Sequence, residues 1–480
     1  MIGSLSSPRL DRSPRGHRRG HGPATRALRA IFLGTVVPIM ILDGTGANAV
    51  PARVPAPDTR ALAGKYSGDR PRSGEQPVAE HPVVEPPAAD DPLTVQVLTF
   101  GPGSHPFTRF GHNAIRIVDR GAGTDIVYNF GTFTFDSPRL ILDFLKGRLR
   151  YWLSRSSMPA TVRAYRRENR TIEAQELNLS SAEKRELRAR LEVNARPENR
   201  DYRYDYFADN CSTRVRDVLD VVLRGRLRAS AVGQGSMSLR AHALRMASAD
   251  LPLYTALLIV LGPRTDRPID EWAEAFLPEM LQRTLRGALL GDDVAAGGHL
   301  VKAEQVLVAA ARPPAPREPP NRLPAFLGVG IAVGLVLYLL GRAGARSWPP
   351  RFLFGCLVAC AGLVLGGIGC FLVGAWALTP HAVVYRNENV LLFAPFAIAL
   401  TVLGLGTAIG RPGATRKAFQ LTAAALGLAV AACALKLFPW SRQDNSGLIL
   451  MMLPLWAGIA AGTRVLVHKH AGEQVGKPVG

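Results

Sequence analysis

Cysteine is scarce in this 480-residue chain, and its placement matters more than its number. Four of the five, Cys356, Cys360, Cys370 and Cys433, fall in the apolar last third, where a buried cysteine behaves as a small hydrophobe. Cys211 is alone in the polar part, so no disulfide framework can staple that part together. Metal-ligand spacings such as CxxC or HExxH are absent, so no metal and no cofactor are expected. Lysine-rich tails and basic patches interleaved with aromatics are missing too. The net charge of +20 comes from Lys+Arg 58 against Asp+Glu 38, but it is mostly arginine spread along the chain, which argues against a nucleic-acid partner. What is present excludes other classes. A hydrophobic content of 47% rules out disorder throughout, and the length exceeds the roughly 250–300 residues that one core can serve.

The chain divides by composition. Residues 1–49 combine an arginine-rich start, an apolar run Ala30–Leu42 and Ala47-Asn48-Ala49, the pattern of a secretory signal peptide; an uncleaved anchor is the alternative. Residues 50–92 form a proline-rich disordered tether. Within the folded domain expected over 93–235, Leu93–Phe100, His112–Val118 and Asp125–Phe130 have strand character, as does Arg170–Leu179. Helices are expected over Pro138–Leu149, from Ser180/Ser181 to Val193 with Glu183 completing a capping box, and over Cys211–Leu223. A helical extension over 236–311 contains Ser238–Ala247, Leu251–Leu261 and Asp270–Leu289. A proline-rich hinge at 312–324 then leads into five apolar runs within 325–463, each near spanning length, and a cytoplasmic tail at 464–480. With the folded domain outside, the inner segments carry nine basic residues and the outer loops two, Arg386 and Arg442, with Lys436 a third if it snorkels outward. This is the orientation that positive charge imposes, with the C-terminus in the cytoplasm.

Chemistry is expected at the lone external thiol. Asn210 is a good N-cap and Cys211 the first helical residue, so its sulfur meets unpaired N–H groups and the positive end of the helix dipole, both of which favour thiolate. An inert packed cysteine is the bland alternative. Of the external histidines, His81 lies in the tether, while His242 and His299 sit in alanine-rich helical surroundings and are expected to be exposed. His112 opens a strand behind Gly111 and is the candidate base, with His105 next in line. Asn129, on the following strand, could orient its imidazole. The oxyanion would be held by the Cys211 N–H with Asn210 or Tyr204.

Three motifs resemble the N-terminal periplasmic domain family of the bacterial lipoprotein intramolecular acyltransferase Lnb. They are Phe110-Gly111-His112-Asn113-Ala114-Ile115-Arg116, Val127-Tyr128-Asn129-Phe130-Gly131-Thr132-Phe133 and Tyr204-Asp205-Tyr206-Phe207-Ala208-Asp209-Asn210-Cys211-Ser212-Thr213-Arg214-Val215-Arg216-Asp217. The resemblance runs from about Thr94 to Arg228; Trp272–Pro278 is similar to the family's helical extension, and His381 with Asn387, Glu388 and Asn389 to a loop after the second span. It implies an α+β fold: a permuted papain-like cysteine domain, related to NlpC-type amidases, followed by a multi-span α-helical membrane domain. It also implies a bacterial inner-membrane location and a reaction in which an acyl chain moves from a lipoprotein's diacylglyceryl group to its own α-amine through a Cys thioester. Membrane lipid and a lipid-anchored protein are then the partners, and the oligomeric state stays open. Hydrolysis by the same pair, as an amidase or thioesterase on cell-wall peptide or lipid, is the first alternative, and a non-catalytic membrane-anchored binding module the second. For His381, Asn387 and Asn389 the readings are a solvated interfacial loop, or an entrance for lipid-anchored substrate that helps to dock the soluble domain.

Overall fold

The computed structural model describes residues 91–134, 143, 146–147, 150–289 and 298–475, all within one compact unit, Ala49–Gly480. The expected leader, all but the last two residues of the tether, and most of the helix expected over 138–149 lie outside the described residues.

Seven antiparallel strands form the sheet: β1 (Leu93–Phe100), β2 (His112–Asp119), β3 (Thr124–Thr132), β4 (Arg150–Ser157), β5 (Ile172–Leu177), β6 (Asp201–Arg203) and β7 (Val301–Val308). Their order is β6-β4-β3-β2-β1-β5-β7. β1 lies inside the sheet and is covered on both faces, so even its polar Gln96 and Thr99 are buried. Its Val95 and Val97 join Ile115, Ile117 and Tyr128 beneath two helices, α2 (Ser181–Asn194) and α3 (Cys211–Val222). Leu98 and Phe100 join Ala114, Val127, Ile172 and Ala174 on the other face, against Met158 at the start of helix α1 (Met158–Arg167). Register runs from Leu93↔Asp119 to Phe100↔His112, so the site histidine sits at the end of the β1–β2 ladder. The β2–β3 turn closes through Ala122 N–H on Asp119 Oδ1 at 2.9 Å. The Ser180–Glu183 capping box is present at the start of α2.

Two differences from the sequence expectation have clear causes. Residues 301–308, placed in a helical extension, are instead the sheet's edge strand, paired with β5 from Ile172↔Val308 to Leu177↔Val301. An edge strand exposed along most of its length carries no apolar alternation to betray it. The single helix expected over Asp270–Leu289 is two, Glu271–Glu274 and Pro278–Gly287, because Pro278 has no N–H to continue a helix and starts the second one. Between sheet and hinge, α4 (Leu239–Met246) and α5 (Leu251–Val260) follow the expected pattern.

Among the described residues, five helices are long and apolar enough to cross a membrane: Leu323–Gly344, Trp348–Leu378, Glu388–Ala408, Pro412–Leu435 and Ser446–Ala471. The third is discontinuous, with short 3₁₀ pieces at Glu388–Leu391 and Pro395–Ala399 before a regular helix, Leu400–Ala408. The first and fifth meet backbone to backbone: a Cβ added at Gly458 would collide with the Gly334 carbonyl, and one at Gly341 with Gly462. Small residues permit that close approach where lipid gives no hydrophobic drive to helix pairing.

Candidate functional site

Asn210 stops the chain before α3 by accepting, on one side-chain oxygen, the N–H groups of Ser212 at 2.8 Å and Thr213 at 3.0 Å. Thr213 returns a bond through its Oγ1 to the Asn210 N–H at 2.8 Å. The Asn210 amide group donates to the carbonyls of Tyr206 and Phe276, each at 2.9 Å, so both of its protons are committed. Asn210 therefore positions Cys211 at the first helical turn, and its amide has no free donor for a substrate.

Cys211 is 7% exposed. Burial pushes its thiol above the usual value, opposed by N–H groups that point at the sulfur, of which the Asn113 N–H is foremost. The helix terminus, expected to favour thiolate, is opposed here by desolvation, which acts more strongly and favours the protonated thiol. Asn113 fixes that contact. Its amide donates to Thr99 Oγ1 at 2.9 Å, and its oxygen accepts from Ser212 Oγ at 2.8 Å, tying β2 to the first turn of α3.

His112, the residue before Asn113, hydrogen-bonds to the Asn129 side chain. The Asn129 amide group already donates to the Val127 carbonyl at 3.3 Å and to Ser156 Oγ at 3.2 Å, which leaves its oxygen to accept from an imidazole N–H. That bond favours the charged ring. Burial and the positive charge of Arg170 act more strongly and push the His112 pKa down to about 4. Arg170 is itself held by the Gly101 carbonyl at 2.8 Å and by Glu168 at 3.1 Å. The imidazole stacks on Phe100 at 5.5 Å. At neutral pH the ring is uncharged, and it precedes Asn113, whose N–H meets the sulfur.

Gly131, near the end of β3, holds φ +87, a conformation that disfavours side chains, and a Cβ there would stand 3.4 Å from Cys211 Cβ. The same point is 3.7 Å from the Tyr204 ring and 3.8 Å from the Tyr202 hydroxyl. Tyr204 stacks on Tyr151 at 4.1 Å, and burial drives its phenol well above the ordinary range. Tyr202 carries the Arg214 guanidinium over its ring at 4.1 Å; the Gly131 N–H approaches its buried hydroxyl, whose own proton finds no acceptor among the described residues. Sequence reasoning did not single out Tyr202, Asn113 or Arg170. Asn113 lay inside a motif already noticed and Tyr202 two residues before another, but nothing short of the fold shows which polar atoms face the sulfur.

The remaining predicted residues lie at the junction with the membrane helices. Asn389 is fully buried and Asn387 nearly so, and neither is a solvated loop residue. Asn387 donates to the carbonyls of Ile259 and Val260 at 2.8 and 2.9 Å, and Asn389 to those of Leu258 and Ile259 at 3.1 and 2.9 Å. They cap the last turn of α5. Gln443 and Asn445, from the loop before the fifth span, bond to the Asn387 and Asn389 side-chain oxygens, each at 2.8 Å. Gly262 N–H adds a bond to the Val383 carbonyl at 2.6 Å. His381 is partly buried two residues before Val383. Elsewhere, His242 corrects its expected exposure: it is fully buried, with Nε2 2.6 Å from Glu274 and Nδ1 accepting from Arg245 at 3.1 Å. His299 and His105 are exposed. No cluster of three or more His, Cys, Asp or Glu that could hold a metal occurs among the described residues.

Comparison with known proteins places this geometry. Residues 88–245 match the family model of the Lnb N-terminal periplasmic domain. No curated protein and no solved structure gives a match. The family match and the five apolar helices together make this a multi-pass membrane protein with an extracytoplasmic N-terminal domain.

Proposed function

We propose that the chain is a membrane-anchored, cysteine-dependent acyltransferase acting on bacterial lipoprotein N-termini. The observation that carries this reading is local. A thiol at a helix start accepts the N–H of Asn113, and the adjoining residue, His112, is an uncharged imidazole held by the Asn129 amide. The family whose model matches residues 88–245 is associated with lipoprotein modification, and the five spans keep the site beside acyl chains that stay in the bilayer. The chain order His112, Asn129, Cys211 is that of a permuted papain-like domain. The excess of basic residues in the inner segments supports insertion in the bacterial inner membrane with the C-terminus in the cytoplasm.

In the first half-reaction the Cys211 sulfur attacks an ester carbonyl of the lipoprotein's diacylglyceryl group while His112 accepts the thiol proton. Proton transfer accompanies attack, because neither group is charged at rest. The Cys211 N–H and the Tyr202 hydroxyl, whose proton is uncommitted, receive the oxyanion, a role that the committed amide of Asn210 cannot fill. The C–O bond then breaks, His112 returns the proton to the departing glyceryl oxygen, and a thioester remains. In the second half-reaction the lipoprotein's α-amine attacks the thioester and passes a proton to His112. The C–S bond breaks, an amide forms, and the proton goes back to Cys211. Asn129 holds the ring in the tautomer this shuttle needs.

The test is the mass of a lipoprotein N-terminal peptide after incubation with full-length protein in lipid. An acyl chain moved from glycerol to the amine leaves the mass unchanged and shifts the fragmentation pattern; hydrolysis releases free fatty acid and lowers the mass. Transfer that persists in Cys211→Ala, or fatty-acid release without transfer, would reject the assignment.

A further inference from the structure

The outer ends of the spans enclose a cavity of about 1090 Å³ that takes no part in the chemistry above. Two arginines of the soluble domain, Arg264 and Arg267, line it, together with Arg386 and Arg442 from the two outer loops. Trp376, near the end of the second span, and Trp440, just beyond the fourth, complete the wall. The charge is unbalanced. Glu388 is the one acidic residue in the lining, and it is already paired with Lys436 and accepts from Ser441 at 2.9 Å. None of the four arginines makes an ion pair with a described residue, and Arg442 spends one N–H on the Pro439 carbonyl at 3.4 Å.

Three observations point to the same ligand. Arg386 and Arg442 are the two arginines of the outer loops, where insertion disfavours positive charge, yet both converge on this one cavity. Arg386 holds φ +55, a conformation that costs a non-glycine residue free energy. Exposed Trp376 and Trp440 mark headgroup depth, where aromatic amphipaths settle. Guanidinium forks match phosphate oxygens, and a diacylglyceryl group carries no phosphate. We infer that this cavity binds the phosphate headgroup of an anionic phospholipid, joining soluble domain and spans through a lipid. The site is separate from Cys211 and stands or falls independently of the acyltransferase reading.

Full-length protein in nanodiscs of equal phosphatidylglycerol and phosphatidylcholine, released into native mass spectrometry, reads the proposal directly. Wild type is expected to retain phosphatidylglycerol over phosphatidylcholine. The Arg386→Gln/Arg442→Gln pair should lower that preference about tenfold, given the attraction each surface cation exerts on anionic lipid. Arg386→Lys/Arg442→Lys should keep most of it, and Cys211 alkylation should match wild type in both. Equal retention of the two lipids by wild type would overturn the inference without touching the catalytic reading. So would displacement of the bound lipid by millimolar inorganic phosphate, which would mark a site for the free anion.

Discussion

Asparagines build both the thiol site and the junction with the membrane helices, and the two regions use them differently. At the junction every amide N–H of Asn387 and Asn389 has a carbonyl, and their oxygens accept from Gln443 and Asn445 or from neighbouring backbone. At the thiol site Asn113 and Asn210 are equally committed, but what they position is left incomplete: a sulfur that meets N–H groups and the Ser212 hydroxyl, and a buried Tyr202 hydroxyl whose proton has no acceptor among the described residues. The junction cluster is satisfied but for the Asn445 oxygen, which has no partner among the described residues, and it ties the soluble part to the spans. The thiol site keeps a reactive atom and a proton donor close to Gly131, an arrangement suited to something that has yet to arrive.

The sharpest way to break this contrast is at the sulfur. Cys211→Ala should abolish acyl transfer while leaving the melting curve close to wild type, because Asn210 caps the helix without it. His112→Gln should lower the transfer rate by roughly 10²–10⁴-fold, the range for a general base, with a smaller loss for Asn129→Ala, both read as initial rates in lipid. The resting protonation states add a pH signature. Iodoacetamide labelling of Cys211 should stay slow at mildly acidic pH and keep rising past the value of a free thiol, since burial raises the thiol and His112 is uncharged down to about 4. Labelling that levels off by pH 6 would reveal a resting ion pair. The same imidazole sets a stability window. Below pH 6.5 the unfolded chain takes up the proton first, so stability should fall as pH drops from 6.5 towards 4 and then level; His112→Gln should flatten that slope in thermal melts. At the junction, Asn389→Ala strips partners from the Leu258 and Ile259 carbonyls and should destabilise docking by about 1–3 kcal/mol, read as faster proteolysis of the hinge. Cys211 labelling should not change there, which separates the two clusters.

Strands with one apolar face or two were legible in the sequence, as β1 to β3 show, and so were capped helices and long apolar runs. These signals are local and periodic. β4 escaped because Arg150–Ser157 mixes charge with apolar residues, whereas α1 was passed over although Met158, Val162 and Tyr165 recur at helical spacing behind the Ser157 cap. At the site, Cys211 was visible as the one thiol in polar sequence and His112 as a histidine opening a strand. The thiol's protonation was not, because helix terminus and burial oppose each other and only packing decides between them. The junction roles of Asn387 and Asn389 were equally hidden, since their partners are backbone carbonyls of a helix far earlier in the chain.

The edge strand β7 carries a consequence for biogenesis. Just past it, the Ala310 N–H reaches back 139 residues to the Thr171 side chain, so the sheet closes across a very long loop. Residues 301–308 leave the translocation channel late, shortly before the first span at Leu323. Until then β5 presents an unpaired edge, which favours mispairing with other chains. Sheet completion and the first span are thereby close neighbours in the chain, so the sheet domain becomes complete only as the membrane helices begin.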